Sequence, residues 1–189
     1  EVYRYLRDDL GAGFIQLIAI VERENETGFQ EGDTVTDRSV DPQKWGRFLR
    51  EVFDEWLRHD VGKVFVSHFD SALAAWLGME PPLCIFRSTC GDAVALEHNG
   101  DLYSCDHFVE PDHLIGNITE HHLVELMGSP QQRRFGQAKL ETLPRVCVEC
   151  PVRFACNGEC PKNRFAVAPD GEAGLNYLCA GYLDFFTHI

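Results

Sequence analysis

Eight cysteines constrain this 189-residue chain more than any other feature, because seven of them fall between Cys84 and Cys160 and the eighth is Cys179. Their order is Cys84-x5-Cys90-x14-Cys105, a long gap, then Cys147-x2-Cys150-x5-Cys156-x3-Cys160 and x18-Cys179. No basic, apolar leader precedes them, so a reducing, cytoplasmic setting is expected, where clustered thiols serve as metal ligands rather than disulfides. Thiolates are soft ligands suited to iron–sulfur clusters and zinc. Eight of them make two sets of four, enough for two [4Fe–4S] clusters.

The rest of the composition narrows the partners. The formal net charge is −13, which repels a phosphate backbone and argues against nucleic acid. No apolar stretch reaches the roughly 18 residues that a membrane-spanning helix needs, so no membrane partner is expected. The acidic residues are dispersed and aromatics are frequent, which argues against disorder. The chain opens on Glu1 in a helix-like pattern, as expected of a segment of a longer protein.

The chain divides near Pro81-Pro82: no cysteine precedes this pair and all eight follow it. The first part reads as alternating strands and helices. Gly13 to Val21 is a near-continuous apolar run, expected to be a strand buried on both faces. Asp41 is placed to cap a helix with Pro42 at its first position. Trp45, Phe48, Leu49, Val52, Phe53, Trp56 and Leu57 mark one face of that helix, and Gly62 is its expected stop. Lys63 to Val66 is the next strand, and Ser71 opens a short helix through Leu73, Trp76 and Leu77. This order fits the closing units of a parallel α/β barrel whose other strands lie upstream.

The second part has a different texture. Ala93 to Glu97 and Leu102 to Cys105 flank His98-Asn99-Gly100-Asp101, and Asn-Gly favours a tight β-hairpin turn. Thr119 and Ser129 are candidate helix caps, the latter with Pro130 and Gln132 in capping-box spacing. From Cys147 onward a loop-like, cysteine-organised segment is expected. His121-His122 read as solvated rather than ligating.

Three stretches together resemble a known family: CGDAVALEHNGDLYSCDHF (Cys90 to Phe108), LIGNI (Leu114 to Ile118) and CVECPVRFACNGECPKNRF (Cys147 to Phe165). They are similar to the SPASM domain of peptide-modifying radical S-adenosylmethionine (SAM) enzymes, and most to the anaerobic sulfatase-maturating subgroup. The upstream segments FIQLIAIVE and FDEWLRHDVGKVFVSHFD also resemble the end of that family's barrel. The resemblance implies an α/β fold: residues 1–80 as the last strand–helix units of a partial radical SAM barrel, and 81–189 as a loop-rich SPASM domain with a β-hairpin and short helices.

The resemblance also implies roles. Cys84, Cys90, Cys105 and Cys160 would hold a first auxiliary [4Fe–4S] cluster, and Cys147, Cys150, Cys156 and Cys179 a second; spacing alone does not give this partition. The parent enzyme would carry a third [4Fe–4S] cluster on a Cys-x3-Cys-x2-Cys loop that is not present here, so this segment alone is expected to be inactive. With S-adenosylmethionine that cluster would generate a radical that takes hydrogen from a Cys or Ser of a sulfatase polypeptide, giving Cα-formylglycine. Asp106, directly after Cys105, matches the family's proposed base; carboxylates do such work once burial raises their pKa. Gln16 and Leu17 lie on the strand expected to border the S-adenosylmethionine pocket. An external reductant such as ferredoxin or flavodoxin is implied.

Other readings stay open at the level of sequence. Two four-cysteine zinc sites would suit Cys147-x2-Cys150, although the remaining spacings match no common zinc module. Another SPASM peptide maturase would share every motif. A non-catalytic iron–sulfur or zinc module is disfavoured because barrel strands without partners would leave open edges.

Overall fold

A computed structural model describes all of Glu1–Ile189. A short helix α1 (Val2–Arg4) runs into a π-helical turn over Tyr5–Asp9 and leads to strand β1 (Phe14–Ile15). Helix α2 (Pro42–His59), strand β2 (Phe65–Val66) and helix α3 (Ser67–Trp76) follow. β1 and β2 pair in parallel, with Phe14 opposite Phe65 and Ile15 opposite Val66. The strand–helix–strand–helix order of the first part is therefore present.

The capping expected of α2 is found: Asp41 Oδ1 accepts a 2.8 Å hydrogen bond from the Lys44 backbone N–H, and Pro42 starts the helix. Trp45, Leu49, Val52 and Trp56 are buried along one face, with Phe48 and Phe53 packed beside them. Leu57 falls off this face and is 54% exposed. The Trp56 indole N–H donates to the Val64 carbonyl at 2.7 Å, tying the end of α2 to the approach of β2. The helix stops at His59, and Gly62 takes a left-handed φ of 75° in the turn beyond it.

Several details differ from the sequence expectation. The Gly13–Val21 run is not buried on both faces: Ile15 and Leu17 are buried, whereas Phe14, Ile18 and Ile20 are 82%, 74% and 61% exposed. Helices cover one face of this run, and its other face borders an open cleft. Helix α3 starts at Ser67, a turn before Ser71, and buries His68, Phe69, Ser71 and Ala72 rather than Leu73, Trp76 and Leu77. Small residues at 72, 74 and 75 let that face approach its neighbours, so the larger side chains turn outward.

In the second part, β3 (Ala95–Leu96) and β4 (Asp101–Tyr103) form the expected hairpin, with Gly100 at φ 90° in its turn. A third strand, β5 (Leu114–Asn117), adds to β4. Helices α4 (Leu123–Met127), α5 (Pro130–Glu141), α6 (Arg145–Val148) and α7 (Arg153–Cys156) follow, then the hairpin β6 (Ala166–Val167) and β7 (Ala173–Leu175). The chain closes with helix α8 (Cys179–His188).

Thr119 caps no helix; its N–H and hydroxyl donate to Asn117 Oδ1, and His122 Nδ1 caps α4 instead. Ser129 does cap α5, accepting from the Gln132 N–H at 3.1 Å. The capping box is not closed, because the Gln132 amide donates to the carbonyls of Gly91 (2.8 Å) and Ser104 (3.0 Å). It thereby pins the loop after Cys90 to the hairpin strand before Cys105.

The segment after Cys147 is more regular than expected, chiefly because of α8. This helix lies against α2 so closely that Gly46 and Gly181 meet backbone to backbone. Tyr182, Phe185 and Phe186 of α8 join Trp45, Leu49 and Phe69 in one 19-residue core, which also takes in Phe86, Val152 and Leu178. Burial of each such side chain is worth about 1.5–3 kcal/mol. No helix is long and apolar enough to cross a membrane.

Candidate metal centres

The eight cysteines sort onto two cavities. Cys84, Cys90, Cys105 and Cys160 line the first, together with Lys139 and Phe108. Cys147, Cys150, Cys156 and Cys179 line the second, beside Asn176 and Tyr182. Both cavities open to solvent at their mouths. A lone zinc ion gathers four sulfurs at about 2.3 Å from one point. The four sulfurs of each set line one common cavity without meeting at one point. Two four-thiolate cavities suit two [4Fe–4S] clusters, each of which takes four cysteines.

Local structure explains how the two sets interleave. Cys156 ends α7, and Asn157, Gly158 and Glu159 then take left-handed φ values of 47°, 69° and 53°. Such a conformation is costly for glutamate, on the order of 1–3 kcal/mol when held out of its usual region. It is held from two sides. Arg164 donates to the carbonyls of Gly158 (2.9 Å), Asn157 (2.7 Å) and Glu159 (3.2 Å), and to that of Lys139 (2.5 Å). The buried Glu159 carboxylate accepts from Asn163 (3.0 Å) and Asn176 (2.6 Å). The reversal delivers Cys160 to the first cavity while Cys156 faces the second. Cys179, at the start of α8, is carried to the second cavity by the packing of that helix on α2.

Burial leaves most of these thiols reluctant to ionise. Burial pushes the Cys105 and Cys156 thiols up to about 12 and Cys179 to about 11, and drives Cys160 higher still. Burial also raises Cys90 and Cys147. Ionising these groups by themselves is expensive, whereas a coordinated metal removes the proton outright.

Asp106 is exposed, and its Oδ1 accepts a 3.1 Å hydrogen bond from the Cys105 thiol. It lines a larger cleft of about 1520 Å³, which also touches Gln16, Leu17, His68, Cys84 and Cys160. The cleft therefore shares Cys84 and Cys160 with the first cavity, and brings Asp106 to the same space as Gln16 and Leu17. Leu17 is at the same time part of the core, at 8% exposure.

Four groups near these cavities carry little signal in the sequence. Lys139 and Glu159 carry buried charge around the cysteines, Arg164 is half-buried between them, and His68 sits at the cleft wall, 2% exposed among aromatic rings. Only Glu159 carried a hint, as a charged residue inside the short Cys-x3-Cys spacer.

Known proteins resemble this chain. Residues 84–151 match the family model of SPASM, an iron–sulfur cluster-binding domain. A serine-type anaerobic sulfatase-maturating enzyme of Bacteroides thetaiotaomicron is 46% identical over 198 residues, covering 100% of this chain and 48% of that protein. A cysteine-type enzyme of the same name from Clostridium perfringens is 26% identical over 190 residues, covering 100% of this chain and 49% of that protein. The solved structure described as native anSMEcpe with bound AdoMet superposes with a TM-score of 0.83 at 25% identity, over 99% of this chain and 49% of its own. A second solved form of that protein holds a Cp18Cys peptide. The chain spans about half the length of the curated relatives it matches. It carries a SPASM iron–sulfur cluster-binding domain and is related along its whole length to the anaerobic sulfatase-maturating enzymes.

Proposed function

We propose that this chain is part of a radical SAM oxidoreductase that converts a Cys or Ser of a sulfatase polypeptide to Cα-formylglycine. Residues 1–80 contribute to the barrel and 81–189 form the SPASM domain. The observation that carries this reading is the sorting of eight cysteines onto two four-cysteine cavities, one of which opens beside the cleft holding Asp106. The whole protein, with a third [4Fe–4S] cluster and S-adenosylmethionine, would supply the radical chemistry.

This chain's residues serve the remaining requirements. Cys84, Cys90, Cys105 and Cys160 hold one auxiliary [4Fe–4S] cluster, and Cys147, Cys150, Cys156 and Cys179 hold the other. The radical would take one electron with the hydrogen atom; the second calls for an acceptor near the cleft, which the first cavity meets at Cys84 and Cys160. Asp106 lines the cleft directly after Cys105 of the first cavity, where its carboxylate can accept the thiol or hydroxyl proton. Leu17 and Gln16 line the same cleft and would border S-adenosylmethionine. The substrate is a peptide rather than nucleic acid or lipid, and the reductant is a small cytoplasmic carrier such as ferredoxin or flavodoxin. The greater similarity to a serine-type relative supports serine as the residue oxidised.

The test uses the full-length protein, prepared without oxygen, with serine- and cysteine-containing sulfatase peptides. Mass spectrometry should find the aldehyde. Asp106→Asn should lower aldehyde formation by about 10²–10⁴-fold, the usual worth of positioned proton transfer, while S-adenosylmethionine cleavage and iron content persist. Normal aldehyde formation in that variant would remove Asp106 from the mechanism. The segment Glu1–Ile189 alone should form no 5′-deoxyadenosine.

A further inference from the structure

Lys139 is a buried cation in a strongly acidic protein, yet it pairs with no acid. It is 1% exposed, and its ammonium donates to two backbone carbonyls, those of Cys84 (2.7 Å) and Ile85 (2.8 Å). An ammonium has three N–H donors, so these carbonyls leave one unused. A buried charge is retained only where something compensates it. Acidic residues outnumber basic ones by 30 to 17 in the chain, so a carboxylate partner was readily available. The side chain instead lines the first cavity with Cys84, Cys90, Cys105 and Cys160.

The second cavity has no counterpart. Its lining cation is Arg153, on a half-exposed stretch of α7, and the rest of its wall is apolar or neutral apart from the cysteines. Arg164 lies between the two cysteine sets and is consumed by four backbone carbonyls. Glu159 sits in the turn between Cys156 and Cys160 and offers its charge to both sides, so it does not distinguish them. The first cavity is also lined by Arg87, but that side chain is 30% exposed and faces Asp92 at 3.5 Å, so the buried, acid-free charge that distinguishes the two cavities is that of Lys139.

We propose that Lys139 is a potential-setting residue: its ammonium balances the anionic cluster held in the first cavity and makes that cluster easier to reduce than the one in the second. This deepens the reading of the cavities as cluster sites and rests on it. Four thiolates around a [4Fe–4S] core leave a net negative charge that grows by one on reduction. A fixed neighbouring cation stabilises the reduced form more than the oxidised form, and low local polarity strengthens the effect. The cluster beside the cleft would then be the better electron acceptor of the two, placed where an electron leaves the substrate.

Lys139→Gln keeps a hydrogen-bond donor for the two carbonyls and removes the charge. Full-length protein would be titrated anaerobically against redox mediators, with cluster signals followed by electron paramagnetic resonance and iron measured in parallel. The signal absent from Cys90→Ala identifies the first cluster. At a fixed applied potential near its midpoint, the reduced-to-oxidised ratio of that cluster should fall at least about tenfold in Lys139→Gln, about 59 mV for a one-electron couple. The second cluster should stay within threefold of wild type, and Lys139→Arg should restore the first. Full iron with an unchanged first-cluster ratio overturns the inference and leaves the cluster reading intact. Loss of the first cluster in Lys139→Gln but not in Lys139→Arg supports the need for charge. Loss in both variants overturns it in favour of a purely spatial role. Wild-type protein without iron or labile sulfide would overturn the cluster reading itself.

Discussion

Gly181→Ala should destabilise the protein, although alanine is the better helix former. In an exposed helix interior this change gains about 1 kcal/mol. Here a Cβ at position 181 would stand 2.3 Å from the Pro42 carbonyl oxygen and 2.9 Å from the Gly46 nitrogen. Both are backbone atoms of the α2 N-terminus, so no side chain can swing away. Ordinary carbon contacts need about 3.5–4.0 Å, and α8 must retreat from α2 by roughly an ångström. Overpacking of this kind costs about 1–3 kcal/mol. A backbone clash belongs at the upper end, leaving a net loss of roughly 2 kcal/mol after the propensity gain. For a domain of this size that lowers the melting temperature by about 4–8 °C. The same retreat moves Cys179, two residues before Gly181, away from Cys147, Cys150 and Cys156, so bound iron should fall as well. Calorimetry and iron analysis on the wild type, Gly181→Ala and the control Gly13→Ala would test this, because a Cβ at Gly13 meets nothing within 4 Å. A Gly181→Ala variant as stable as wild type would refute the argument from close helix approach.

His68 gives a pH prediction. Burial holds its pKa down to about 4, against 6.5 for the free side chain, and neither ring nitrogen has a hydrogen-bond partner. The unfolded chain therefore binds a proton that the folded chain refuses. Its contribution is intact above pH 6.5 and is lost as pH falls toward 4, by up to about 3 kcal/mol. Urea unfolding of His68→Phe against wild type across this window should show a shallower loss in the variant; equal slopes would count against a neutral buried His68. Under the proposed ligand sets, Cys160→Ala and Cys156→Ala should each keep about four of the eight irons this chain binds. Double variants taking one cysteine from each cavity should keep none, and four retained irons in such a double variant would break the partition.

The parts of this protein that sequence revealed are those governed by local rules. Asp41-Pro42 and Ser129-Pro130 announce helix starts because a side-chain oxygen and a fixed φ act within one turn. Asn99-Gly100 announces the hairpin for a similar reason. The cysteine spacing carries chemistry directly, and its resemblance to the SPASM pattern supplied sets that the cavities also bring together. What stayed hidden depends on distant partners. α8 has only ten residues and follows a cysteine-rich stretch, so its stability comes from packing on α2 rather than from its own pattern. The alternation of Ile15 and Leu17 with exposed Phe14, Ile18 and Ile20 depends on what covers each face of the strand. Lys139 sits in an ordinary polar helix by sequence, and only its neighbours turn it into a buried charge.

The turn at Asn157–Glu159 also fixes a length. Cys156 and Cys160 face different cavities but are joined by four peptide units, so even a fully extended chain keeps their Cα atoms within roughly 14 Å. Three left-handed residues in that span shorten it further. An electron passing between occupants of the two cavities would meet a gap whose upper limit is set by covalent bonds. Lengthening the Asn157–Glu159 spacer would relax that limit, which makes the spacer a tether as much as a turn.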